Sequence, residues 1–270
     1  MQNKISACLV IYNEEKKIKR CLDSLVGVVD EIVVIHDGEC KDKSLEIAKK
    51  YTNRVYVMEH AGEAEVHRPF SFKMAKNKWL LQIDADEFLS SELKNNLNKI
   101  INVNSIDAYE FLWPIWDGKK YISKSWPYKR CLFKKNKISF LGVPHYVVEV
   151  TGNIKKSDLI LEHRPDKINY SWASFRIKWI KWAKVHAKIY LKDFSEIKKF
   201  NYSEIDWPVK IKLRKKFPLI LMPFEFIVTV SKNLLNGGWR GGMVSYRYSF
   251  LCGLYRIMVN YYIFLNKKEK

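Results

Sequence analysis

The chain predicts an α/β fold: a mostly parallel, doubly wound sheet in its first half, followed by a helical C-terminal region. Three observations carry that reading. Apolar runs of strand length alternate with segments of helical period through about residue 100; each run ends in a polar cluster; and from residue 169 onward the pattern turns helical.

ISACLVIY (5–12) is the first strand, and in EEKKIKRCLDSLV behind it Ile18, Cys21, Leu22 and Leu25 recur at helical spacing. EIVVIHDG (31–38) reads as a second strand closed by Gly38. DKSLEIAKKY then offers Asp42 as an N-cap, with Leu45, Ala48 and Tyr51 on one face. RVYVMEH (54–60) is a third strand, EVHRPFSFKMAKNK a helix, and WLLQID (79–84) a fourth strand. Ser90 or Ser91 caps SSELKNNLNKII, where Leu93, Leu97 and Ile100 repeat the helical period.

Strands in this order join by right-handed crossovers, and such sheets bind ligands beyond the carboxyl ends of their strands. YNEE (12–15), HDGECKD (36–42) and DADE (84–87) all fall at those ends. No GxGxxG follows the first strand and no GxxxxGK[ST] occurs, which disfavours an ordinary dinucleotide fold or a P-loop. In an extended segment Asp84 and Asp86 project to one side of Ala85, where two carboxylates repel unless a cation lies between them. Oxygen ligands suit Mg²⁺ or Mn²⁺, ions commonly shared with substrate phosphates. The competing reading is an acidic helix N-terminus before SSEL, favoured by the helix dipole.

YNEE, DGECKDKSLEIAKKY, the arginine of HRPFSF and WLLQIDADEFL, in that order, resemble the successive motifs of glycosyltransferase family 2, the GT-A fold of inverting nucleotide-sugar-dependent transferases. The likeness is strong over residues 4–100. Beyond them, PYKRCLFKKNKISFLGVPH and later NLLNGGWRGG are similar to segments of bacterial lipopolysaccharide core and cell-surface polysaccharide transferases. The resemblance implies that Tyr12, Asn13, Glu14 and Asp37 line the nucleotide-sugar site, with Asp37 at the base and ribose. Arg68 reaches the diphosphate, where its bidentate fork suits phosphate. By the same resemblance Asp84 would touch ribose or metal, and Asp86 would coordinate the Mn²⁺ or Mg²⁺ that neutralises the leaving diphosphate; His163, in LILEHRP, is a separate candidate for an extra metal or diphosphate ligand. Asn13 and Asp37 could instead be turn residues, Arg68 a surface helix residue and His163 a structural histidine. His36 stands where relatives often have an acid, and His67 reads as packing.

Inverting transfer needs a base for the acceptor hydroxyl. Relatives often place a His-Glu pair where this chain has GVPHYVVEV, with Tyr146 after His145. The candidates are Glu149, His145 and Glu87; even spacing in a strand would put His145 and Glu149 on one side.

Composition supports a compact enzyme: 270 residues, 47% hydrophobic and 14% aromatic. Five scattered cysteines without a CxxC argue against a disulfide framework or zinc site and fit a reducing cytosol. The N-terminal apolar run reads as a strand and not as a signal peptide. Of the net charge of +19, residues 1–110 carry 16 Lys and Arg against 18 acids, and the remainder carries 32 against 11. The basic half suits an anionic membrane surface or nucleic acid. WASFRIKWIKWAKVHAKIYLKDF interleaves Trp172, Phe175, Trp179, Trp182 and Ile189 with lysines; FPLILMPFEFIVTV (217–230) and YSFLCGLYRIMVNYYIFL (248–265) are apolar but interrupted by Pro218, Pro223, Glu225, Arg256 and Asn260. They suit helices lying in a headgroup region, or a helical subdomain with an aromatic core.

The expected organisation is a nucleotide-sugar-binding catalytic domain over 1–165 and a basic, aromatic helical region over 166–270. The expected function is metal-dependent transfer from a UDP-sugar to a lipopolysaccharide or other lipid-linked glycan, by a cytoplasmic enzyme peripheral on the inner face of the cell membrane. A nucleic-acid-binding protein and a non-catalytic GT-A scaffold are the alternatives, with nucleic acid the less favoured partner.

Overall fold

Ile5–Ile11 (β1) is buried along its whole length, because a run apolar at every position but Ser6, whose hydroxyl donates to Glu31, needs cover on both faces. In the computed structural model, which describes residues 3–116, 119–121, 127–165, 171–235 and 238–268, that cover comes from helices on either side of a sheet. β1 is followed by α1 (Ile18–Leu25), β2 (Glu31–Asp37), α2 (Ser44–Lys49), β3 (Val55–Met58), α3 (Arg68–Met74), β4 (Trp79–Gln82), β5 (Glu87–Leu89) and α4 (Ser91–Ile100). Then come β6 (Ala108–Leu112), β7 (Tyr128–Lys134), β8 (Ile138–Leu141), β9 (Glu149–Val150) and β10 (Ile154–His163). β11 (Lys199–Phe200) pairs with β8, and β8 with β9, in a separate three-stranded sheet.

The main sheet runs β3-β2-β1-β4-β7-β6-β10-β5. β3, β2, β1 and β4 are parallel neighbours, as the alternation of strand and helix predicts. β7 is antiparallel to both β4 and β6, and β5 is antiparallel to β10. Alternate residues of β1 divide between two cores. Ile5, Ala7 and Leu9 meet Ile18, Leu22 and Leu25 of α1 and Leu93 and Leu97 of α4. Cys8 and Val10 face the layer of Phe72 from α3, whose ring meets Phe133, Phe140 and Phe200 edge-on at 5.6–5.7 Å between centroids.

Helix ends differ from the sequence reading in places. Ser90 caps α4, accepting from Leu93 N–H at 3.1 Å. Asp42 does not cap α2; Lys43 occupies that position without a side-chain cap, and Asp42 accepts from Ser44 N–H and Glu15 N–H instead. α1 begins at Ile18, because Glu14–Lys17 forms a turn whose Glu14 N–H donates to Ser44 beyond β2.

The chain divides into two compact units. The first comprises residues 1–114, 128–164 and 198–202; the second comprises 115–127, 165–197 and 203–270. The expected boundary at 165/166 meets residues 166–170, outside the described residues, as do Asn236 and Gly237 of the glycine-rich turn. The second unit holds α5 (Trp172–Ser174), a π-helical segment (Phe175–Trp179), α6 (Ile180–Leu191), α7 (Val209–Lys216), α8 (Pro218–Leu235) and α9 (Gly242–Lys268). Phe175, Trp179, Ala183 and Tyr190 are buried there, and Tyr255 of α9 packs edge-on against Trp179 at 5.9 Å. The aromatic helix that the sequence offers as a lipid-facing element is thus largely core.

Candidate active site

At the carboxyl ends of β1 and β2 two loops interlock. Asn13, left-handed at φ 52°, accepts from Lys41 N–H at 2.8 Å; Glu14 N–H donates to Ser44 Oγ at 2.5 Å; Lys43 N–H donates to Glu15 at 3.1 Å. Glu14 also pairs with Lys17 at 2.5 Å. Tyr12 stands 45% exposed with its ring 4.9 Å from His60. His36 is fully buried. Since the Gly38 carbonyl can only accept, the 2.8 Å bond places the proton on His36 Nδ1 and leaves Nε2 to accept from Asn13 N–H at 3.4 Å. Gly38, at φ 88°, admits no side chain, because a Cβ would lie 2.7 Å from His60 Cβ.

Asp37 sits differently from what the resemblance implies. It is buried, and its carboxylate accepts from Ala61 N–H (2.6 Å), Gly62 N–H (2.9 Å) and His67 Nε2–H (2.8 Å). Burial works to raise its pKa, but the His67 and backbone bonds bring it below the ordinary value. Its carboxylate shapes the 60–62 loop, and His67, expected as packing, is its hydrogen-bonding partner.

Beyond β4 the acids separate. The predicted extended run is a turn closed by Glu87 N–H donating to Asp84 O at 3.0 Å, so Asp84 and Asp86 face different partners and not a common cation. Asp84 accepts from Arg68 Nη2–H at 2.8 Å and Lys129 Nζ at 2.7 Å. Burial raises its pKa, and Lys129 and Arg68 outweigh that and hold the carboxyl well below its usual range. Burial would likewise lower Lys129, yet Asp84 and Glu87 keep it above the ordinary lysine value. Buried Arg68 Nη1 meets no partner among the described residues. Asp86 turns to His163, with Oδ2 and Nε2 3.6 Å apart. Burial raises the Asp86 pKa, and the imidazole more than offsets it.

Glu87 is fully buried and takes three donors: Lys129 Nζ and Trp113 Nε1–H, both at 2.6 Å, and Asp84 N–H at 2.9 Å. A carboxylate so enclosed positions its neighbours and is not placed to receive a proton from an acceptor hydroxyl. Through the Trp113 indole, stacked on the His163 ring at 4.0 Å, it also orients the imidazole facing Asp86. Lys129 and Trp113 are therefore site residues that the sequence reading missed.

Of the remaining base candidates, Glu149 opens β9 and His145 lies in the loop between β8 and β9. Glu149 is exposed and accepts from Ser139 Oγ at 3.0 Å and from the Tyr146 hydroxyl. His145 precedes β9 in a left-handed turn at φ 57°, so strand spacing does not align it with Glu149. Arg130, held by Glu110 at 2.8 Å, donates to Val148 O at 2.8 Å and fixes the segment between them.

Among the described residues no cluster of three or more metal-binding side chains occurs. Asp86 with His163 nevertheless offers one carboxylate and one imidazole, a donor pair that fits a divalent ion sharing its other positions with phosphate and water.

A parallel half-sheet with charged loops and a carboxylate turn beyond its strand ends is the plan of an α/β enzyme whose ligands bind at the strand ends. The family model of glycosyl transferase family 2 matches residues 6–158, and the chain belongs to that family. An uncharacterized glycosyltransferase of Rickettsia bellii is 35% identical over 109 residues, 40% of this chain and 36% of that protein. The poly(ribitol-phosphate) beta-glucosyltransferase of Bacillus spizizenii is 34% identical over 99 residues, 33% of this chain and 16% of that one. The chain thus spans little more than a third of the length of the first of these relatives and less of the second. Among solved structures, S. aureus TarS 1-349 in complex with UDP-GlcNAc aligns over 99% of this chain and 92% of its own, with a TM-score of 0.47 and 14% identity.

Proposed function

We propose that the protein is an inverting glycosyltransferase that moves a sugar from a nucleoside diphosphate donor, a UDP-sugar, to a lipid-linked glycan at an anionic membrane surface, with Mn²⁺ or Mg²⁺ bound by Asp86 and His163. The observation that carries the reading is the divergence at the 84–87 turn: Asp84 is neutralised by Arg68 and Lys129, while Asp86 is left facing an imidazole. Family membership favours this over a nucleic-acid-binding role for the basic half. Held by Asp86 and His163, such an ion would supply charge neutralisation at the departing diphosphate.

The chain's own residues do the rest. Tyr12, Asn13 and Glu14 border the nucleotide, with Asp37 holding the loop beneath it. Arg68 is fixed through Asp84 so that its unused Nη1–H donates to a phosphate oxygen. Glu149, oriented by Ser139 and Tyr146, removes the acceptor proton in preference to His145 and Glu87. In vitro, Asp86→Ala and His163→Ala are expected to abolish the Mn²⁺-dependent part of UDP binding, followed by calorimetry, and to slow transfer on the order of a thousandfold. Unchanged Mn²⁺ dependence in both variants would remove the metal assignment. Glu149→Gln is expected to slow transfer while leaving UDP binding intact, and equal loss of both would move the base elsewhere.

A further inference from the structure

We propose that the outward face of α8, together with a lysine-rimmed cavity at its start, is a docking surface for an anionic phospholipid leaflet. The inference rests on the membrane-linked acceptor put forward above and names the residues that meet the lipid.

The amphipathicity of α8 is reversed with respect to water. Its one acid, Glu225, is buried, accepting from Arg214 Nε–H at 2.7 Å and Asn260 Nδ2–H at 3.0 Å. On the other side Ile220, Phe224 and Ile227, spaced along a single helix face, are 71%, 63% and 62% exposed. Among the described residues α8 alone is long and apolar enough to cross a membrane by length and composition, and only 11% of it is buried. Contiguous apolar surface of this kind marks an interaction site.

Charge selects the occupant. From Val209 to Lys268 the chain carries eleven Lys and Arg against one acid, Glu225, and Arg214 neutralises that acid internally. At the start of α8 a cavity of about 370 Å³ has Phe217, Ile220 and Phe264 in its lining and Lys216, Lys267 and Lys268 around it. An apolar floor under a ring of ammonium groups suits a lipid chain below its phosphate. A second copy would bring the same positive charge to the face, and nucleic acid has no hydrocarbon to cover Phe224 and Ile227.

The inward side of α8 shows how the helix lies. Phe226 packs on Gly253 of α9, where a Cβ would come within 2.6 Å of the ring, and Glu225 holds α7 and α9. Immersing the outer face leaves those contacts intact, whereas spanning a bilayer would strip them. α8 therefore lies in the headgroup region.

The test is co-sedimentation of the full chain with vesicles of phosphatidylcholine alone or mixed with phosphatidylglycerol, at low and high salt. The exposed double variant Ile220→Ser/Phe224→Ser is expected to lose binding to the mixed vesicles with an unchanged melting curve. The triple variant Lys216→Gln/Lys267→Gln/Lys268→Gln is expected to bind mixed vesicles on the order of a hundredfold more weakly, and to lose most of the salt dependence. Wild-type binding that survives Ile220→Ser/Phe224→Ser would overturn the inference while leaving membrane association standing. Failure of the wild type to bind either vesicle would overturn the membrane-linked reading as well. A dimer by light scattering that the double variant converts to monomer, with vesicle binding unaffected, would assign the face to a second copy.

Discussion

The two units bury charge for opposite ends. In the sheet unit, Asp84, Glu87, Arg68 and Lys129 form a network at a strand end, beside Asp86, which faces His163. In the helical unit, Arg214, Glu225 and Asn260 are enclosed while Ile220, Phe224 and Ile227 face outward. The first arrangement buries its charges as pairs beyond the strand ends, next to an apolar core. The second suits a surface whose outer neighbour is not water. The buried ions of the helical unit hold three helices together, and those of the sheet unit hold two carboxylates in register with a histidine.

The sharpest way to break the comparison is to remove one cation from each network. Lys129→Met leaves Asp84 with Arg68 as its bonded cation and Glu87 with only the neutral donors Trp113 and Asp84 N–H, and is expected to destabilise the sheet unit by about 3–5 kcal/mol. UDP binding should fall with it, and denaturant unfolding checks the size. Glu225→Ala leaves Arg214 buried and unpaired, an expected loss of similar kind, about 3 kcal/mol, confined to the helical unit. Hydrogen exchange should show protection lost in α7–α9 and kept in β1–β4. Loss spread equally over both units would mean that the networks are not separate.

How much of this was legible follows from how local each feature is. β1 to β4 and α4 could be read because periodicity and the Ser90 cap act within a few residues. The acidic turn announced a site, but the direction of each carboxylate depended on a turn bond between Asp84 and Glu87 that alternation alone did not signal. Lys129 and Trp113 come from chain 26 to 45 residues away from the acids they bind, and no local pattern marks them; the nearest signal is the basic residue inside the quoted PYKRCLF stretch. Asp37 was placed at the right strand end, but its bonds to Ala61, Gly62 and His67 were not foreseen, because those residues follow β3, 24 to 30 residues further along the chain. The apolar string of α8 reads the same whether its face is covered or open, and Glu225 looked like an interruption when it is the anchor.

A smaller effect separates the units by pH. The Asp37 carboxyl lies below its ordinary pKa when folded, so its contribution is fully present above the unfolded value, near about 3.9, and is lost as pH falls through the folded value. Sheet-unit stability should therefore decline below about pH 4. Asp37→Asn should remove the Asp37 share of that decline, leaving the shares of Asp84 and Asp86, and cost about 1–3 kcal/mol at neutral pH by leaving its donors poorly matched. Denaturant titrations at about pH 3 and 4, around the ordinary carboxylate range, and at about pH 7 as the neutral reference decide it, and an acid limb identical to that of the wild type would detach Asp37 from acid stability.

The smallest effect tests a local rule within the sheet unit. Ser90→Ala removes the acceptor for Leu93 N–H, and the first turn of α4 then relies on water; about 1 kcal/mol should be lost. α4 presents Leu93 and Leu97 to the core shared with β1, so the loss should appear as a lower denaturation midpoint with an unchanged slope. Transfer rate should hold, because Ser90 lies three residues beyond Glu87 and β5 between them is pinned to β10 through Phe88 and Leu89. A fall in rate with stability intact would mean that the cap reaches the acidic turn through β5, and that the turn is less well held by Lys129 and Trp113 than their short bonds imply.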